Sequence, residues 1–94
     1  MFSSSLRDAM TEATPANLAA LNSQGVFALV AVENGKGEWF VLHADNVLHG
    51  EGLACHWVNQ MGARGCSVWS ILNGAIGRKP NFTVFEDHSW EDAA

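Results

Sequence analysis

The sequence predicts a single α+β domain, in which an N-terminal helix or helices precede the element order β-β-α-β-β. Three observations indicate this class. The chain has 94 residues, enough for one domain. Hydrophobic residues make up 48% of it, which is typical of globular proteins. Two pairs of strand-like segments flank a segment with helical periodicity. We therefore expect one domain over residues 1–94, a four-stranded antiparallel sheet, and helices packed on one face of that sheet.

The N-terminal part carries two helix-start signals. Residues 3–5 are serines that can cap a first helix. Thr14 can cap a second helix that has Pro15 at its first position, where a missing N–H costs no hydrogen bond. Gly25 is placed to end this second helix. The two pieces form either one kinked helix or two short ones.

A hairpin is predicted next. Residues 26–32 are apolar without interruption, which is typical of a strand that is covered on both faces. Residues 34–37 contain Asn34-Gly35, a pair that supplies the positive φ angles of a tight turn. Residues 39–43 then form the returning strand.

A helix over residues 52–62 follows a loop over residues 45–50. Its apolar positions recur with helical spacing and predict one buried arc. That arc comprises Leu53, Ala54, Trp57, Val58 and Met61. Cys55, His56 and Asn59 fall on the opposite arc, where we expect solvent or a partner.

The second strand pair is less distinct. Residues 66–72 fit a strand or a short buried helix, because short apolar runs do not separate the two. A loop over residues 73–81 and a strand over residues 82–85 complete the sheet. Residues 86–94 form an acidic tail that holds four of the ten acidic residues, and this tail is either flexible or folded back at Trp90.

The charge pattern argues against nucleic acid and anionic membranes as partners. The formal net charge is −5, and the five basic residues are scattered along the chain. Direct binding to nucleic acid and to anionic membranes is therefore disfavoured, whereas a basic protein surface would be attracted. No apolar run is long enough to span a bilayer, and no secretion signal is recognised, so the cytoplasm is the expected compartment.

Metal-capable side chains are concentrated in the middle of the chain. The set is His43, His49, Cys55, His56 and Cys66. Its spacing contains neither C-x-x-C nor H-x-x-x-H, and adjacent helical residues such as Cys55 and His56 point about 100° apart. We predict no metal and no cofactor. A metal or small-ligand sensor that uses His43, His49, Cys55 and His56 is kept as an alternative.

Thiol catalysis is a second alternative. Gln60 precedes Cys66 by an interval that resembles the one in papain-like cysteine peptidases, and His88 follows as a base. Trp69 stands three positions after the cysteine rather than directly after it, and few residues separate Cys66 from His88. The chain is therefore not assigned to that family.

The tail and the exposed helix arc supply the predicted partner-binding residues. Trp90 lies among acidic residues, where it can anchor a partner while the acids steer it, or fold back onto the core. The full set is Glu86, Asp87, Trp90, Glu91, Asp92, His56 and Asn59. No group of residues meets the requirements of an active site, so the favoured hypothesis is a non-catalytic interaction module. It would act as a regulator or inhibitor of the phage or mobile-element accessory type by covering a partner's surface, with homodimerisation through an edge strand also expected.

Overall fold

Helix α1 spans Pro15–Ser23 and begins as its sequence predicts. The computed structural model describes residues 14–87 and the backbone of residues 90–92, so the helix start predicted at residues 3–5 lies outside the described residues. The Asn17 backbone N–H donates to Thr14 Oγ1 over 3.2 Å, with Pro15 at the first helical position. Gly25 follows the helix with φ +86°, which fits its predicted role as the stop.

Strands β1 (Ala28–Glu33) and β2 (Trp39–Ala44) form the predicted hairpin. The turn lies at the predicted residues 34–37, but its positive φ is at Gly37, whereas the Asn34-Gly35 pair was expected to supply it. Asn34 acts instead through its side chain. Its Oδ1 accepts from the backbone N–H groups of Lys36 and Glu38 over 2.8 and 3.1 Å.

Helix α2 spans Val47–Gln60, so it begins inside the segment that was expected to be a loop. The reason is Asn46, whose Oδ1 accepts from the His49 backbone N–H over 2.8 Å and caps the helix. The helix also includes Gly50, which is buried. The helix ends at Gln60, so Met61 lies beyond the last turn and is 56% exposed, contrary to its predicted place on the buried arc.

The remaining strands are β3 (Gly65–Leu72), β4 (Ala75–Ile76), β5 (Phe82–Phe85) and β6 (Trp90–Asp92). β3 resolves the strand-or-helix alternative in favour of a strand. β4 was missed: Asn73 and Gly74 have φ angles of +54° and +74° and join β3 to β4 in a two-residue turn. β6 lies within the predicted tail, where residues 90–92 pair with β5.

The sheet is antiparallel, as predicted, with strand order β2-β1-β3-β5-β6 and β4 paired to β3. The described residues contain the four expected strands and two short additional ones, β4 and β6, so the expected four-stranded sheet is corrected to six strands over this part of the chain. In the register, Val30 lies between Leu42 and Val68, and the neighbouring Leu29 lies between His43 and Trp69. Alternate residues of β1 consequently face opposite sides of the sheet.

The helices cover both sides of the sheet rather than one. α2 packs on the side that carries Val30 and Val68, and the Phe40 and Trp57 rings meet edge to face at 5.0 Å. α1 packs through Leu18 on the other side. This corrects the expected one-sided packing. Since β1 is apolar on both faces, both faces must be removed from water.

Asn22 joins α1 to the end of β3. Its Nδ2 donates to the carbonyl oxygens of Val26 and Ile71 over 3.0 and 3.1 Å, and its Oδ1 accepts from the Gly74 backbone N–H over 2.9 Å. A single partly buried amide therefore satisfies three backbone groups from separate segments, which holds the helix against the β3–β4 hairpin.

Candidate functional site

The acidic residues of the predicted partner-binding set lie at one edge of the sheet. Glu86 and Asp87 form the exposed turn after β5, and Glu91 and Asp92 lie on β6. The Glu86 backbone N–H donates to the Arg64 carbonyl over 2.8 Å, which fixes the start of the turn beside β3. We call these four acids, together with Trp90, the acidic edge.

The register of β6 accounts for the position of this edge. Val84 pairs with Trp90 and Phe82 with Asp92, so the chain reverses after Phe85 and returns along β5. The backbone at Trp90 thus folds back onto the sheet. The acidic residues, for which the sequence left a flexible tail and a folded-back tail as alternatives, lie on a turn and a strand, where the backbone holds their spacing.

His56 and Asn59, the other predicted partner-binding residues, are exposed on α2. α2 contacts β5, the strand between β3 and β6. The helix and the acidic edge are therefore neighbouring features of the molecule, although they belong to separate segments of the chain. The outward arc predicted for α2 is observed, except that Cys55 is half-buried.

The metal-capable side chains do not converge. His43 is exposed on β2, His49 is exposed in the first turn of α2, and His56 is exposed further along α2. Within the part of the chain that the structure describes, no three His, Cys, Asp or Glu side chains are grouped as metal ligands. The arrangement of these residues gives no support to the sensor alternative.

His49 has a local structural role at the start of α2. Its Nδ1 accepts from the Asp45 backbone N–H over 3.1 Å and lies 3.7 Å from Asp45 Oδ2. Both side chains are exposed, so an ion pair between them contributes little, and the hydrogen bond to the Asp45 backbone is the contact that shapes the start of α2.

Cys66 lies on β3 beneath α2 and is 1% exposed. Burial raises the pKa of its thiol from 9.0 to about 12, and the charge of the nearby Cys55 adds to the shift. A thiol nucleophile needs the opposite, an exposed thiolate with a lowered pKa. His88, the predicted base, lies outside the described residues. Cys66 therefore fits a core residue better than a nucleophile.

Two features of the surface were not predicted from the sequence. The first is the exposure of large apolar side chains: Leu48 is 77% exposed and Leu72 is 62% exposed. The second is the position of strand β2, which lies at the edge of the sheet opposite β6. The apolar run of residues 39–42 was visible in the sequence. It gave no sign that this strand, rather than another, lies at an edge.

Comparison with known protein families, with curated proteins and with solved structures gives no match. In the described part of the chain, no helix has both the length and the apolarity that are needed to cross a bilayer.

Proposed function

We propose that this protein is a small, acidic, non-catalytic interaction module that covers a basic surface of a partner protein with its acidic edge. The observation that carries the proposal is the grouping of Glu86, Asp87, Glu91 and Asp92 on one turn and one edge strand. These residues are four of the ten acidic residues of a chain whose net charge is −5. Such a grouping steers a basic partner and sets its orientation.

Two further features support binding rather than catalysis. Trp90 lies on β6, and tryptophan is among the residue types that most often carry binding energy in interfaces. The raised pKa of Cys66 favours an interaction module over a thiol enzyme. A cytoplasmic regulator or inhibitor, of the kind found among phage and mobile-element accessory proteins, fits this size and charge by analogy only.

The test compares two variants that carry the same net charge. One variant neutralises the acidic edge and the other neutralises four acids elsewhere, so each changes the net charge from −5 to −1. The edge variant carries Glu86→Gln, Asp87→Asn, Glu91→Gln and Asp92→Asn. The control carries Glu33→Gln, Glu38→Gln, Asp45→Asn and Glu51→Gln. Native mass spectrometry after incubation in lysate of the native host measures the captured protein.

We expect the unmodified protein and the control to capture the same basic protein, and the edge variant to bind it about tenfold more weakly or worse. Rising salt should weaken the complex, since the attraction is between exposed charges. Equal capture by both variants would contradict the proposal, as would a protein that captures nothing. Bound zinc, or a covalent adduct on one cysteine, would instead support one of the two alternatives. Thermal unfolding of both variants serves as the control for correct folding.

A further inference from the structure

In the part of the chain that the structure describes, strand β2 is a free edge of the sheet. It ends the strand order, and within the described residues only β1 pairs with it. Its six residues, Trp39–Ala44, include neither proline nor an acidic, lysine or arginine side chain. Edge strands of monomeric proteins are usually blunted by charge, proline, a bulge or short length, because unpaired backbone groups attract another strand.

The opposite edge of the same sheet is blunted. β6 has three residues, two of which are Glu91 and Asp92. One sheet thus has a short, acidic edge and a longer edge of half-buried apolar residues, Trp39, Phe40, Val41 and Leu42. The contrast indicates that the β2 edge is the one suited to pairing with another strand.

The ends of β2 are complementary to each other in charge. Lys36 is exposed in the turn before the strand, and the Asp45 side chain is 81% exposed just after it. If two copies pair antiparallel about a twofold axis at Val41, Asp45 of each copy lies opposite Gly37 of the other, and Lys36 is the residue next to that Gly37. The same register places Trp39 opposite His43 and Phe40 opposite Leu42.

Other charged groups near these ends are compatible with the pairing. The Glu38 carboxylate accepts from Asn34 Nδ2 over 3.3 Å, which directs it toward its own turn. His49 lies 3.7 Å from Asp45 within the same copy. The net charge of −5 makes two copies repel, but exposed charges further apart than about 10 Å are largely screened at 0.1 M salt.

We propose that β2 pairs antiparallel with β2 of a second copy, so that one sheet continues across a homodimer. The pairing satisfies the outward backbone groups of six residues and covers the exposed remainder of the apolar side chains. A single strand pair buries little area, so the dimer is weak and dissociates on dilution. This inference is independent of the acidic edge.

The test exchanges the charges at the two ends of the strand. Sedimentation equilibrium over a wide concentration range measures dimerisation of the unmodified protein, of Lys36→Glu, of Asp45→Lys and of the double variant. We expect each single variant to weaken the dimer about tenfold, since the twofold symmetry repeats every unfavourable contact. The double variant should recover the original affinity, and a mixture of the two single variants should form a heterodimer.

Lys79→Glu is the matched control, because Lys79 is exposed in the loop before β5 and undergoes the same charge change. It should dimerise as the unmodified protein does, and so should the variant of the acidic edge. A protein that stays monomeric at every concentration would overturn the inference. A dimer that is insensitive to both single variants would overturn it too, because β2 would then not be the interface. Thermal unfolding of each variant separates weak association from misfolding.

Discussion

At the scale of single residues, burial decides which side chains can do chemistry. Cys66 is packed among Val32, Val68 and Val84 beneath α2, whereas Cys55 is half-buried on that helix. Loss of water around Cys66 disfavours its thiolate, and the charge of Cys55 acts in the same direction. The two thiols of the chain therefore differ in accessibility, because Cys66 is buried and Cys55 is half-buried.

The raised pKa of Cys66 predicts a loss of stability at alkaline pH. In the unfolded chain the thiol ionises near 9.0, whereas in the folded protein it keeps its proton until about pH 12. Between these values the native state binds the extra proton, so the free energy of unfolding falls as pH rises, by up to about 1.4 kcal/mol per pH unit. Below pH 9 this contribution is fully present.

Denaturant unfolding of the protein and of Cys66→Ala at several pH values measures this effect. The alanine variant has lost the thiol but keeps every other titrating group, so the difference between the two slopes isolates Cys66. Parallel stability curves above pH 9 would contradict the assignment of a buried, protonated thiol.

At the scale of elements, Gly50 sets how closely α2 approaches the sheet. A Cβ atom on Gly50 would lie 2.6 Å from Val68 Cγ1 and 3.3 Å from Val30 Cγ2. Gly52, two residues on, faces open space. The helix packs tightly on β1 and β3 because a hydrogen atom replaces a side chain at that one point.

Two alanine substitutions in α2 should therefore have opposite effects. Gly50→Ala should lower the free energy of unfolding by about 1–3 kcal/mol, because the added methyl overpacks the contact with Val68. Gly52→Ala should raise it by about 0.5–1 kcal/mol, because alanine favours the helix and meets nothing. Urea unfolding measures both. The same sign for both variants would contradict the close approach at Gly50.

The two Asn-Gly pairs show what local sequence can and cannot predict. Both occur in hairpins, as the pair indicates. At Asn73-Gly74 both residues have positive φ and form a two-residue turn. At Asn34-Gly35 the positive φ moves to Gly37, because the strands are joined by a longer loop that the Asn34 side chain closes. The dipeptide predicts a turn, but the strand register selects its type.

At the scale of the whole molecule, one sheet separates two cores. Val30 and Val68 belong to the core under α2, and Leu29 and Ile71 belong to the smaller core under α1. β1 and β3 are the strands that contribute to both cores and have a strand on each side. They are consequently the most protected elements of the described fold.

This arrangement predicts the order of amide hydrogen exchange. Amides of β1 and β3 should exchange slowest, at rates set by global unfolding, because opening them disrupts both cores. α1 should exchange faster, since Leu18 is its one buried residue. Hydrogen exchange followed by NMR measures the order. Equal protection of α1 and β1 would show that the two faces unfold as one unit. Protection of β2 that rises with protein concentration would report the proposed dimer.

Much of the fold could be predicted because it depends on local signals. The Thr14-Pro15 start of α1, the β1–β2 hairpin and the strand at Phe82–Phe85 follow from capping residues, turn residues and apolar runs. β6 could not be predicted, because its three residues are acidic or aromatic and have no strand pattern of their own. It is a strand because β5 offers a free edge beside it.

The sequence by itself determined the α+β class, the interior position of β1 and the acidic character of the surface, since apolar periodicity and charge are properties of the chain. Only the tertiary structure decided that the helices lie on opposite faces, that Cys66 is buried, and that the acids of residues 86–92 share one sheet edge. These features depend on which segments meet across long sequence separations. Pairing of that kind is selected by packing over the whole molecule and leaves no local signature in the sequence.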